Sequence, residues 1–264
     1  HCLNKGYPTG AMEMKSQREI HRVSPACVIP DLAGEITAAL VGTGPALGLG
    51  EVRSTSAPSK IALVIGTSGT TGMSKEVAFT ASALLASARA SNKFLGAKAG
   101  QQWSLFLPLT HIAAVNVIIR SMELGTLPID LREHQGEYPK VDFTSIVPTQ
   151  LFRALNSDER LLRHLQSAQA VLVGGAALSP ALSQQAVTAG INVVETYGMT
   201  ETSGGCIYNG KAIEGVEYSL NDKSLVQIRG SVMSETYLNA PELYTLIDGW
   251  FITNDLGEIK DGKL

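Results

Sequence analysis

Residues 61–80 read IALVIGTSGTTGMSKEVAFT. Ile61 to Ile65 form a short apolar run of the kind that becomes a buried strand. It passes directly into Gly66-Thr67-Ser68-Gly69-Thr70-Thr71-Gly72-Met73-Ser74-Lys75. Glycines let backbone N–H groups turn inward without Cβ clashes, and such a nest of donors binds anions. The hydroxyls of the loop and its terminal lysine add further donors and a positive charge, so the stretch suits a polyphosphate. The competing reading is a surface turn rich in small residues. The apolar strand before the loop and the lysine at its end argue against it. A Walker loop is excluded, because neither Gly66 nor Gly69 is followed at the required distance by Gly-Lys-Ser/Thr.

The chain around this stretch has 264 residues, enough for one large domain or two modest ones. Hydrophobic residues make up 44% and charged residues 17%, which describes a globular protein with a substantial core. A net charge of −3 gives no electrostatic footprint for nucleic acid. No run approaches the ~20 apolar residues of a membrane span, so neither nucleic acid nor membrane is expected as a partner. The opening HCLNKGYPTGAMEMKS lacks the apolar core of a secretion signal and does not begin with Met. The expectation is a cytoplasmic protein whose first twenty residues need not be its native start. Cys2, Cys27 and Cys206 are far apart and odd in number, which fits free thiols better than a disulfide framework or a zinc site.

Residues 1–60 are weakly patterned, with a candidate helix from Asp31 to Leu40 and a loop or linker from Val41 to Ser59. Beyond the glycine-rich loop, Ser82 to Phe94 reads as a helix, Trp103 to Leu107 as a strand, and Ile112 to Leu124 as a helix. Phe143 to Val147 is the next strand. Two helical stretches follow it, to Leu155 and to Leu165. Ala170 to Val173 and Ile191 to Val194 are strands, and Ser179-Pro180 starts the helix between them. Strand–helix–strand units of this length predict an α/β fold with layered parallel-type sheets and flanking helices. After about residue 215 the texture changes. Val216 to Leu220, a polar turn and Ser224 to Arg229 read as a hairpin. The expected division is therefore an α/β region over 1–215 and a small β-rich subdomain over 216–264.

In α/β sheets ligands bind beyond the carboxyl ends of the strands, and three stretches there are distinctive. Thr67–Lys75 resembles the phosphate loop of the acyl-adenylate-forming superfamily, which reads Ser/Thr-Ser-Gly-Ser/Thr-Thr-Gly-x-Pro-Lys; Ser74 replaces the usual Pro. Tyr197-Gly198-Met199-Thr200-Glu201 resembles the same superfamily's Tyr-Gly-x-Thr-Glu motif. Gly249-Trp250-Phe251-Ile252-Thr253-Asn254-Asp255 resembles its Gly-Trp-x-x-Thr-Gly-Asp stretch, with Asn254 in place of Gly.

The resemblance implies roles residue by residue. Thr67, Ser68, Gly69, Thr70, Thr71, Gly72 and Lys75 would grip the phosphates of ATP, and Thr67, Lys75, Thr200, Glu201 and His111 would act in catalysis. Gly174, Gly175 and Ala176 would lie beside adenine, and Tyr197 would stack on it, flanked by Thr196, Gly198 and Met199. Thr200 would contact the α-phosphate, Glu201 would hold Mg²⁺, and Asp255 would accept from the ribose hydroxyls. An aromatic face suits a purine, a carboxylate suits magnesium, and a carboxylate is a natural acceptor for two hydroxyl protons.

Pro-Leu-Thr-His111, Val-Gly-Gly-Ala and Tyr-Gly-Met-Thr-Glu-Thr-Ser-Gly-Gly together resemble most closely the 2-succinylbenzoate–CoA ligases of menaquinone synthesis, in their compact actinobacterial form. By that resemblance His111 borders the acyl pocket and Ser203 and Gly204 form its far wall; the alternative for His111 is a histidine at the edge of the core. Arg120 is a candidate partner for a substrate carboxylate, or else a solvated helix arginine. The implied activity is an AMP-forming acid–CoA ligase using ATP, Mg²⁺ and CoA on a small carboxylic acid, compatible with a homodimer. Another acyl- or aryl-CoA synthetase, or an amino-acid adenylation domain, would keep every nucleotide motif. A third reading is a nucleotide-binding module without full turnover, because the sequence carries no counterpart of the family's small carboxyl-terminal domain and its lysine. On that reading the chain binds nucleotide and makes little thioester.

Overall fold

Ile61 to Ile65 are all buried, as a continuous apolar run requires when both faces of a strand are covered. The computed structural model describes residues 17–67 and 74–264. In chain order the elements before the second large sheet are β1 (Gln17–Arg22), α1 (Ile29–Leu40), β2 (Ala46–Gly50), β3 (Ser56–Pro58), β4 (Ile61–Thr67), β5 (Lys75–Thr80) and α2 (Ala81–Phe94). Then come β6 (Trp103–Leu105), α3 (Ile112–Glu123), β7 (Ile129–Asp130), β8 (Phe143–Ile146), α4 (Pro148–Asn156), α5 (Glu159–Ser167), β9 (Ala170–Val173), α6 (Pro180–Thr188) and β10 (Val193–Met199). The last part holds β11 (Gly204–Tyr208), β12 (Lys211–Ala212), β13 (Val216–Leu220), β14 (Leu225–Gly230), β15 (Thr236–Tyr237), β16 (Leu246–Ile247) and β17 (Trp250–Leu256).

Three sheets result: β15-β5-β4-β2-β1-β3, β12-β11-β10-β9-β8-β6-β7, and β13-β14-β17-β16. Parallel pairing holds for β1, β2 and β4, and again for β7, β6, β8, β9 and β10. The fold is thus mixed α/β with flanking helices. Both large sheets also carry antiparallel strands. Thr67 pairs directly with Lys75 and Gly66 with Glu76, so the phosphate-loop stretch joins two arms of a hairpin and does not lead straight into a helix. The connection is too short for a parallel crossover, which takes a dozen residues or more. The returning strand therefore has to run antiparallel.

Three of the helices, α2, α5 and α6, start at a side-chain cap. Thr80 Oγ1 accepts from the Ala83 amide, Asp158 Oδ1 from Leu161 and Ser179 Oγ from Leu182, each satisfying a donor left free by the first turn. α3 is apolar nearly all round, and Ile112 and Ala114 to Ser121 are buried, as expected of a helix between layers. One core cluster joins residues of both large sheets with α1, α2 and α3, including Leu49, Phe79, Trp103, Ile118 and Tyr208. A second, with Ile146, Leu151, Leu161 and Val171, lies under α4, α5 and α6.

Two expectations shift. The supposed linker from Val41 to Ser59 contains β2, a central strand with Ala46 to Leu49 buried, and β3. The strand expected to stop at Val194 runs on to Met199, because it gains an antiparallel neighbour in β11. Residues 216–256 build the four-stranded sheet, while β15 leaves it to pair with β5, Tyr237 opposite Val77. Among the described residues no helix is long and apolar enough to cross a membrane.

Candidate functional site

The site grows from the ends of β4, β9 and β10 and from one bulge in β17. Thr67 closes β4, and its Oγ1 donates to the Lys75 carbonyl at 3.3 Å across the base of the hairpin. Ser68, Gly69, Thr70, Thr71 and Gly72 lie outside the described residues. Lys75 opens β5, with its Nζ donating to the Tyr237 hydroxyl at 3.3 Å and standing 4.6 Å from the centre of that ring. The same hydroxyl donates to Glu201 Oε1 at 2.6 Å. Lysine, phenol and carboxylate thus form a short chain from the phosphate-loop hairpin to the turn after β10.

That turn is a 3-10 segment, Thr200–Thr202, followed by Ser203 and Gly204 at φ 51° and 83°. It turns β10 into β11, so Tyr197 to Glu201 lie on the strand end and the turn itself. Gly198 is required here: a Cβ at that position would fall on the Gly204 carbonyl. Thr196 Oγ1 donates to the Val173 carbonyl and fills the space where a side chain on Gly174 would go. Gly174 consequently passes beside β10 with bare backbone, against Thr196 and one residue from Tyr197, and Gly175 and Ala176 follow it.

Asp255 arrives from the third sheet. Ile252 pairs with Gln227 and Leu256 with Leu225, so β17 bulges at Thr253 to Asp255, and bulges re-aim side chains near sites. Thr253 Oγ1 donates to the Val226 carbonyl and accepts from the Asp255 amide, holding the bulge. Tyr197 then donates its hydroxyl to Asp255 Oδ2 at 2.8 Å. Burial first, and that hydrogen bond second, push the Tyr197 phenol up from its ordinary range, so it remains a donor. The Tyr197 ring and the Asp255 carboxylate, 58 residues apart in sequence, share one hydrogen bond.

Glu201 is half-buried and Thr200 stands beside it. Magnesium is held through one or two carboxylates with substrate phosphates and water. Among the described residues no group of three or more His, Cys, Asp or Glu side chains gathers that could hold a metal alone. A single half-buried carboxylate linked to Lys75 through the Tyr237 hydroxyl fits the first mode, in which the remaining ligands would come from phosphate and solvent.

On the other side of the 203–204 turn lies α3. Ser203 is buried, its hydroxyl donating to the Val232 carbonyl at 2.6 Å, and its carbonyl accepts from Asn116 Nδ2 and Ser87 Oγ. Gly204 packs against the Asn116 side chain. These contacts lock the turn to α2 and α3, leaving the Ser203 hydroxyl engaged with the fold. His111 is exposed at the start of α3, which removes the reading of a core-edge histidine. Arg120 is only 3% exposed, so the solvated alternative is overturned. It lies over the Trp103 ring at 5.3 Å, donates to the Tyr208 hydroxyl at 2.9 Å, and leaves Nε without a partner. Cys206 is buried beneath the site, its thiol pushed up to about 12 by burial, and acts as a small apolar residue.

Tyr237, Asn239 and Glu76 belong to the site without any motif to mark them. Glu76, 1% exposed, accepts from the Arg53 and Ser54 amides. Asn239 accepts from the Glu76 amide and donates to the Ser74 carbonyl, fastening both sides of Lys75. Asn239 and Glu76 are 163 residues apart in sequence, and only the strand pairing brings them together.

Residues 11–235 match the family described as AMP-binding enzyme. A probable 2-succinylbenzoate–CoA ligase of Mycobacterium tuberculosis is 38% identical over 216 residues, covering 76% of this chain and 55% of the relative. The 2-succinylbenzoate–CoA ligase of Escherichia coli K12 is 32% identical over 220 residues, covering 78% and 47%. The structure of E. coli MenE with a bound phenylether-linked analogue of OSB-AMS superposes with a TM-score of 0.66 at 27% identity, over 91% of this chain and 59% of that one. The chain spans about half the length of the curated relatives it matches. With residues 11–235 in the match and the motif residues gathered at the strand ends, the chain belongs to the AMP-binding enzyme family.

Proposed function

We propose that the protein is an ATP-dependent, AMP-forming acid–CoA ligase, and that its acid is 2-succinylbenzoate, placing it in menaquinone synthesis. The observation that carries the reading is the continuity of the site: Lys75, Tyr237 and Glu201 on one side, Tyr197 and Asp255 on the other. Adenine would lie between the Tyr197 ring and the Gly174–Ala176 backbone, with the ribose on Asp255 and the phosphates between Thr67, Lys75 and Thr200. Glu201 would hold Mg²⁺, which when bound neutralises phosphate charge as it develops.

A substrate carboxylate oxygen forms a bond to the α-phosphorus while the bond to the bridging oxygen breaks, and pyrophosphate leaves with that electron pair. The CoA sulfur then bonds to the acyl carbon, its proton is released, and AMP departs. Charge grows on phosphate oxygens in the first step, so the Lys75 ammonium and the Thr67 and Thr200 hydroxyls would stabilise the transition state. No protein nucleophile is needed.

The choice of acid is supported by the relatives named 2-succinylbenzoate–CoA ligase. The test is acid-dependent exchange of pyrophosphate into ATP across a panel of 2-succinylbenzoate, benzoate, fatty acids and amino acids. Exchange stimulated chiefly by 2-succinylbenzoate is expected. Stimulation by a monoacid alone would assign another acid, and exchange with none would remove the ligase reading.

A further inference from the structure

The Tyr237 hydroxyl occupies the midpoint between the two charges of the candidate phosphate and metal site. It accepts from Lys75 Nζ at 3.3 Å and donates to Glu201 Oε1 at 2.6 Å. One O–H has one proton, and here that proton is committed to the carboxylate while a lone pair faces the ammonium. The ring beneath is 1% exposed and packs edge-on against Tyr244 at 5.2 Å between centroids. Tyr244 is itself pinned by donating to the Ser234 carbonyl at 2.6 Å.

The backbone around Tyr237 is equally constrained. β15 pairs with β5, the Leu238 amide donates to the Glu76 carbonyl, and the Glu235 amide donates to the Ala78 carbonyl. On the other side the Ser234 amide donates to the Glu201 carbonyl at 2.7 Å. The segment Ser234–Asn239 therefore reaches both Lys75 and Glu201 through main chain and side chain together. An exposed loop bearing a tyrosine would offer no such fixed point.

We infer that Tyr237 is a positioning residue that holds Glu201 in the orientation for a divalent cation and keeps Lys75 from pairing with it directly. Without the hydroxyl, an ammonium and a carboxylate facing one another across a half-buried gap would close into an ion pair. The metal would then have to break that pair before using the carboxylate. The hydroxyl satisfies one oxygen of Glu201 and leaves the other for the ion. It likewise leaves two of the three Lys75 protons for phosphate. This inference rests on the proposed nucleotide site and adds to it a residue outside the three recognised motifs.

Tyr237→Phe removes the hydroxyl and keeps the ring, its packing on Tyr244 and its contact with Lys75. The experiment is calorimetric titration of ATP at a series of Mg²⁺ concentrations, with adenosine as a control that needs neither Lys75 nor the metal. Loss of one hydrogen bond to a charged group should raise the Mg²⁺ needed for half-maximal ATP affinity about tenfold, with adenosine binding and the melting temperature little changed. In a Glu201→Gln background the same substitution should have almost no further effect on Mg²⁺ dependence, because residues acting through one group are non-additive. Equal effects in both backgrounds would mean a merely structural role and overturn the inference, as would an unchanged Mg²⁺ requirement in Tyr237→Phe. If the phenylalanine variant proves unstable, Glu201→Gln alone decides: unaltered Mg²⁺ dependence there overturns it. Failure of the unsubstituted protein to bind ATP at all would instead refute the nucleotide site on which it rests.

Discussion

Asp255→Ala separates the sugar from the phosphates. The carboxylate is exposed at the bulge of β17 and has one side-chain partner, the Tyr197 hydroxyl at 2.8 Å. A hydrogen bond at such a position contributes about 0.5–1 kcal/mol to folding, so the melting temperature should fall by roughly 2 °C. Nucleotide binding should suffer more. Two ribose hydroxyls donating to one carboxylate make two charge-assisted bonds, each worth about 1.5 kcal/mol at the low end. Together they amount to about 3 kcal/mol, or roughly 150-fold in Kd. Pyrophosphate has no ribose, and its affinity should be unchanged. Calorimetry with ATP, adenosine and pyrophosphate on both proteins reads all three effects. Equal losses for ATP and pyrophosphate, or no loss for adenosine, would refute the placement of Asp255 at the sugar.

Glu201→Gln keeps the shape of the side chain and its acceptor for Tyr237 but removes the charge; Mg²⁺-dependent pyrophosphate exchange should disappear while the circular dichroism spectrum is retained. Gly198→Ala would drive a methyl group onto the Gly204 carbonyl in a tight hairpin, and overpacking against backbone should lower stability by about 1–3 kcal/mol, visible as a reduced urea midpoint. His164 is buried with Nδ1 at 2.7 Å from the Pro139 carbonyl, and burial lowers its pKa below 6.5. The unfolded chain takes up the proton more readily, so this contribution is complete above about pH 6.5 and is lost as the pH falls through the lowered value. His164→Gln should accordingly flatten the decline in melting temperature between pH 7 and 5; an equally steep decline in the variant would show that the acid sensitivity lies elsewhere.

Much of the site is legible in the sequence because its motifs are local. Lys75, Glu201 and Asp255 each sit in a run of consecutive residues that resembles a motif of the acyl-adenylate-forming superfamily. Strands such as Ala170–Val173, and the Ser179 cap of α6, are equally plain. The hairpin arm Lys75–Thr80 is hidden because its buried core, Val77-Ala78-Phe79, lies between charged residues and the start of a helix. β2 is hidden because Ala-Leu-Gly-Leu-Gly has little β-propensity, and only its position between β1 and β4 makes it a strand. Tyr237 cannot be found by pattern at all. Its role comes from a two-residue strand that crosses from one sheet to another, and no periodicity marks such a crossing.

The most direct test of the nucleotide site is a crystal structure of the protein with ATP and Mg²⁺. The expected result has adenine against the Tyr197 ring, both ribose hydroxyls within hydrogen-bond distance of Asp255, and the ion bridging a Glu201 oxygen and the phosphates, with Lys75 on the phosphates. ATP bound with its ribose away from Asp255, or the ion bound away from Glu201, would contradict it.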